Sequence, residues 1–267
     1  MEKHKLISLL QPKEYEKVYI HNEIFSELQS TNQFKSATNI AFAYCYYCLI
    51  CYLFRYCKYG NAYWFTKEIL IEILGFAGNN KTFDYLIKKN GLLDRINLTD
   101  TISDFPIDHK FEEGEDLTFL MFKSTSMADR EIFKFPRKYT VKKPITTFYR
   151  TIDSQQNGYL DGTYYDISNT HPFRIHNFID IISNDSLGGI GFFIFQFLSF
   201  MYTKFPKGYS ATISKLSESL SLSHGSISKY INNLEQGGYI NIERPQPIFK
   251  EKEWIRHANT YFLRHEI

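Results

Sequence analysis

Residues 209–240 read YSATISKLSESLSLSHGSISKYINNLEQGGYI, and the spacing of their apolar positions decides the fold. Leu216 and Leu220 stand at i and i+4. Ile227, Tyr230, Ile231 and Leu234 stand at i, i+3, i+4 and i+7. Each set draws one apolar stripe down a helix. Ser223 precedes the second stripe and can cap its helix, and Gly237 with Gly238 can end it. Two short amphipathic helices joined by a tight turn must bury their stripes on a third element. Leu187–Tyr202, an apolar run of about sixteen residues just upstream, supplies one.

Downstream, Tyr239–Glu243 reads as a short strand. RPQPIFKEKEW (244–254) places two prolines in a turn, and a further strand is expected near Thr260–His265. This is a hairpin, decorated by Arg244, Lys250, Lys252 and Arg256.

The pattern has an echo. Residues 65–93, FTKEILIEILGFAGNNKTFDYLIKKNGLL, align with 211–240 when Gly91 is set on Gly238. Phe83 then pairs with Tyr230, Ile87 with Leu234 and Leu92 with Tyr239. Thr66 is expected to cap a helix over Lys67–Leu74, Gly75 and Gly78 to make the turn, and Asn79 to cap the next helix. Gly91 is expected to close that helix ahead of a strand over Leu92–Leu98. Ile40–Phe54 is the matching long apolar helix.

With these residues in view, the second copy resembles a winged helix-turn-helix of bacterial transcription regulators, over Leu187–His265. Two such modules in one chain resemble the tandem winged-helix initiators of plasmid replication. The long charged insert departs from those initiators, and no initiator-specific motif is found. The resemblance implies that the third helix of the second copy enters a major groove and reads bases near its N-terminus. Its polar side carries Ser223, His224, Gly225, Ser226, Ser228, Lys229, Asn232 and Asn233, and Ser221–Leu234 contains no acid. Asn pairs with adenine, Ser with base or phosphate, and Gly225 lets backbone come close. In the first copy, Lys81 and Lys88 are the corresponding cations, beside Asp84.

Charge between the copies is segregated. Asp94–Asp116 holds eight acids against two bases, and Lys134–Arg150 six bases and no acid. Lys138, Lys142 and Lys143, interleaved with aromatics, could follow a DNA backbone or pair with the acidic segment. The whole chain is nearly neutral, with 31 Lys and Arg against 29 Asp and Glu in 267 residues, which excludes a polycation.

Other features read as architecture. Cys45, Cys48 and Cys51 sit in an apolar, aromatic helical run, with Cys57 just beyond it, and Cys there acts as a small hydrophobe. Their spacing turns around that helix, so no metal is expected. The two apolar runs are short for membrane spans, and no signal peptide is seen. His171, Arg174 and His176 cluster in NTHPFRIHNF, but two His at i, i+5 do not share a helix face, so a structural loop is expected. Asp108 with Glu115 or Asp116 and Lys123 imitates a nuclease cluster in an acidic loop. Phosphate-loop, nucleophile-elbow and zinc-protease motifs are absent.

The expectation is a mainly α chain with small β wings (α+β), carrying two winged-helix modules: residues 1–98, a charged insert over 99–185, and 186–267. It is a cytoplasmic homodimer, not an enzyme, with no metal, cofactor or membrane. It binds double-stranded DNA as a transcription regulator. The alternatives are a replication initiator and a winged-helix interaction scaffold.

Overall fold

The computed structural model describes residues 1–60, 65–110, 117–126, 139–150, 152–158, 161–246, 248–250, 253–255 and 258–264. The fold is α+β, helices with small antiparallel sheets. The chain opens with α1 (Lys3–Leu10), β1 (Lys17–His21) and α2 (Ile24–Ser30). α3 (Ala37–Arg55) follows, capped by Ser36, whose hydroxyl accepts the Asn39 N–H. Every residue from Asn39 to Phe54 is buried, so this helix is the axis of the core. It is the one described helix long and apolar enough to cross a membrane, and 89% of its most apolar window is covered by the rest of the chain.

α4 (Lys67–Ile73), α5 (Asp84–Ile87) and α6 (Leu92–Arg95) come next. Thr66 caps α4, its hydroxyl accepting the Ile69 N–H. The echo of the C-terminal pattern then breaks down. The third helix is reduced to a 3₁₀ turn over Lys81–Phe83 and the single turn of α5. Asn80, not Asn79, is its cap: Asn80 Oδ1 accepts the Thr82 N–H at 2.8 Å.

The strand expected over Leu92–Leu98 is instead α6. Leu92, Leu93 and Leu98 are all fully buried. The Asp94 carboxylate accepts the Asn90 N–H at 2.9 Å and the hydroxyls of Thr99 at 2.7 Å and Thr101 at 3.0 Å, which winds the segment into a turn. Gly91 permits that turn because a Cβ there would lie 2.6 Å from the Leu86 carbonyl oxygen.

The insert contributes β2 (Thr99–Ile102), β3 (Pro106–Lys110), β4 (Thr118–Met121), β5 (Val141–Pro144), α7 (Ile152–Asn157), β6 (Thr170–Arg174) and α8 (Ile175–Ile182). β2 of the acidic segment pairs with β5 of the basic one, setting Asp100 opposite Lys143 and Thr101 opposite Lys142. β3 pairs with β4. NTHPFRIHNF is not a loop: β6 runs antiparallel to β1, with Lys17 opposite Arg174 and Ile20 opposite His171. The segments bounded at 98 and 185 are therefore interleaved, since β6 closes onto the N-terminal β1.

The last unit is α9 (Gly188–Lys204), β7 (Tyr209–Ala211), α10 (Ile213–Leu220), α11 (His224–Gln236), β8 (Ile240–Glu243), β9 (Ile248–Lys250), β10 (Glu253–Ile255) and β11 (Asn259–Leu263). β11 lies between β7 and β8, and β9 with β10 forms a separate hairpin. α9 packs on α3 at small residues: Cys45 Sγ donates to the Gly189 carbonyl at 3.4 Å. One apolar cluster joins both ends of the chain, from Leu6 to Tyr261. Phe25 is a hub of it, its ring 5.2 to 5.7 Å from those of Tyr44, His171, Phe193, Phe197 and Phe200.

Candidate nucleic-acid interface

Local chemistry sets the angle between α10 and α11. Thr212 caps α10, its hydroxyl accepting the Lys215 N–H at 3.1 Å. Ser221 takes a left-handed φ of 53° and stops the helix, and the Leu222 N–H returns to Ser217 O. Ser223 then caps α11, accepting the Ser226 N–H at 3.2 Å. Ile227, Ile231 and Leu234 are buried against α9 and α10. Gly238, at φ 78°, reverses the chain, and the Tyr239 N–H reaches back to Leu234 O at 2.9 Å. This is the left-handed helix ending that glycine favours.

The stripe facing inward leaves the other side of α11 free. Ser223, His224, Gly225, Lys229 and Asn232 are exposed, and Ser226 and Ser228 are half-buried. A Cβ on Gly225 would meet nothing within 4 Å. The first-turn amides that Ser223 does not cap, with the positive end of the helix dipole, favour an anion.

Two residues of the expected set do other work. Asn233 is half-buried, and its side-chain amide donates to the Ser186 carbonyl at 2.6 Å, fastening α11 to the start of α9. Arg244, just past β8, grips Glu235 with two hydrogen bonds of 2.8 and 2.5 Å and touches Asn232 Oδ1 at 3.4 Å. The guanidinium holds the Glu235 carboxyl below its usual range. Glu235 escaped the sequence reading because it lies one residue past the acid-free run. Arg264 was missed as well; its Nε donates to Asn241 Oδ1 beside β8.

Lys250 stands opposite Glu253 in the hairpin register. Its side chain, and the whole of Lys138, Lys252 and Arg256, lie outside the described residues. Lys81 and Lys88 are exposed and Lys143 is half-buried over the Phe148 ring at 4.9 Å. None of these three is carried by the last unit, which holds α11. Lys142 leaves the candidate set: it is 5% exposed and bonded to Asp94, so it cannot reach a phosphate.

The histidine cluster is dispersed by the strand–helix boundary. His171 is fully buried, with Nδ1 2.9 Å from Asn22 Oδ1 and Nε2 2.7 Å from the Tyr44 hydroxyl. Asn22 Oδ1 can only accept, so Nδ1 carries the proton and Tyr44 donates to Nε2. Burial, with the nearby His21, pushes the imidazole down to about 3. His176 is exposed on α8. Burial pushes all four thiols up, Cys57 to about 12. Among the described residues no group of three His, Cys, Asp or Glu could hold a metal. Of the nuclease-like set, Lys123 donates to the Ser103 hydroxyl, Asp108 Oδ1 accepts the His109 N–H, and Glu115 and Asp116 lie outside the described residues.

No family model matches the chain, and no curated protein or solved structure matches it either.

Proposed function

We propose that this chain binds double-stranded DNA through α11 and acts as a transcription regulator by occupying an operator. The observation that carries the reading is the outward side of α11, acid-free from its start to Leu234, with Lys229 and Asn232 exposed on it. β8 of the three-stranded sheet β7-β11-β8 packs against α11, and a hairpin, β9 with β10, follows β8 in the chain. Helix, strand, two helices, strand, hairpin and strand is the winged-helix arrangement, and the last unit is read as one. Lys229 and Asn232 discriminate bases, His224 and the helix N-terminus meet a phosphate, and the hairpin cations supply salt-dependent affinity.

The N-terminal echo supports packing over reading. Its third helix is one turn long after a 3₁₀ turn, too short to lie along a groove. This favours one reading module per chain, and hence a homodimer on a two-fold operator, over an initiator with two readers per chain. Half-sites would then repeat one duplex turn apart, about 34 Å.

The test is gel retardation at low salt with fragments from the gene's own locus, followed by footprinting. The expected result is one protected inverted repeat and affinity that falls steeply with salt. Several protected direct repeats would point to an initiator. Retardation of no fragment would overturn DNA binding and leave an interaction scaffold.

A further inference from the structure

A cleft of about 740 Å³ separates the β1–β6 sheet from α9 and the ends of β8 and β11. Lys17 and Tyr19 of β1 and Pro172 and Arg174 of β6 form one wall. Alternate residues of a strand share a face. The register sets Lys17 directly opposite Arg174 and Tyr19 opposite Pro172. Two cations therefore face each other across a two-stranded sheet, an arrangement that destabilises it. Arg264 brings a third cation from the far side.

Lys17 Nζ lies 5.4 Å over the Tyr19 ring, but no carboxylate is paired with these cations among the described residues. Among the described lining residues there is no Asp or Glu. The neighbouring acids are engaged elsewhere. Glu16, next to Lys17, turns into the core, 2.8 Å from Lys58 Nζ and 2.6 Å from the Tyr52 hydroxyl. Glu235 feels the charge of Arg264 but is held by Arg244. Asp180 is paired with Lys3 at 2.6 Å. The buried Gln196 and Ser199 of α9 offer polar groups to the same cleft, and Tyr202 faces it with Tyr19.

We propose that this cleft binds a small phosphate-bearing molecule of nucleotide type. The phosphates sit among Lys17, Arg174 and Arg264 and relieve the cross-strand repulsion. A ring stacks on Tyr19 or Tyr202, and Gln196 and Ser199 bond its polar edge. The volume falls in the range of small-molecule sites, and the concave form admits a nucleotide and not a duplex. The site spans the seam between the N-terminal strands and the α9–β11 unit, away from the N-terminal half of α11. It stands whether or not α11 binds DNA.

Calorimetry on the full chain at low salt with ATP and with inorganic pyrophosphate tests this. Both should bind, ATP more tightly. Arg174→Ala and Lys17→Ala should each weaken binding about tenfold or more. Without ligand, Arg174→Ala should melt no lower than the parent, because a repulsion has been removed. If Arg174→Ala does not fold, Lys17→Ala carries the same test, since Lys17 is exposed. No binding of either probe at millimolar concentration, or equal binding by parent and variants, would overturn the site. Pyrophosphate binding as tightly as ATP would overturn the ring contact. Loss of duplex affinity in the variants, with no nucleotide binding, would assign the cations to a DNA backbone and overturn the proposal.

Discussion

Lys142 Nζ lies 2.5 Å from Asp94 Oδ1, with the two side chains 5% and 10% exposed. The ammonium also donates to the Lys88 carbonyl at 3.1 Å. Burial pushes its pKa down, and Asp94 pulls against that shift. One cation thus ties β5 to α6 and to the turn before it, joining the basic and acidic segments inside the fold.

Lys142→Ala should therefore be strongly destabilising. It leaves the Asp94 carboxylate buried with only neutral partners, a change worth about 3 kcal/mol. Urea unfolding should show the loss as a lower midpoint with an unchanged slope. A loss below about 1 kcal/mol would mean that the pair does not hold these elements together. Duplex affinity of the folded fraction should be unaffected.

His171 gives a pH dependence of stated sign. Its folded pKa is lowered from the ordinary 6.5 to about 3 by burial. Between those values the unfolded chain takes up a proton that the folded chain refuses. Stability is therefore full above pH 6.5 and falls as pH drops below it, by up to about 1.4 kcal/mol per unit. His171→Gln should be less stable near neutral pH, having lost a buried hydrogen-bonded ring, yet flatter between pH 6.5 and about 5. Equal slopes for parent and variant in that window would contradict the buried neutral imidazole.

Much of the α11 unit was legible because its signals are local. Leu216 and Leu220, then Ile227, Ile231 and Leu234, mark their stripes within a few turns, and Thr212 and Ser223 sit one residue ahead of the two helices. The first copy misled because LLDRINL carries apolar residues at spacings that suit strand or helix. What decides it is Asp94, whose partners Thr99, Thr101 and Lys142 come from other elements. The β1–β6 pairing joins segments some 150 residues apart, and no periodicity announces it. The cleft cations were invisible for the same reason: Lys17 and Arg174 become neighbours only through that register.

Glu235→Gln should strengthen duplex binding. Arg244 now spends its two best hydrogen bonds on Glu235. Released from the carboxylate, it becomes available to a phosphate, and one negative charge beside the duplex disappears. The slope of log affinity against log salt should steepen by about 0.9. Stability should change little, because the pair is partly exposed. Weaker binding or an unchanged slope would mean that Arg244 serves only to fix α11 against β8.

The account rests on the outward face of α11. Fluorescence anisotropy with the footprinted duplex and an unrelated duplex of equal length, at one salt concentration, measures the ratio that matters. Lys229→Ala with Asn232→Ala, both at exposed positions, should leave the melting temperature within about 2 °C of the parent. The account predicts that the ratio of specific to unrelated affinity collapses by about tenfold or more, while unrelated binding persists. An unchanged ratio, or no binding of either duplex by the parent, would contradict it.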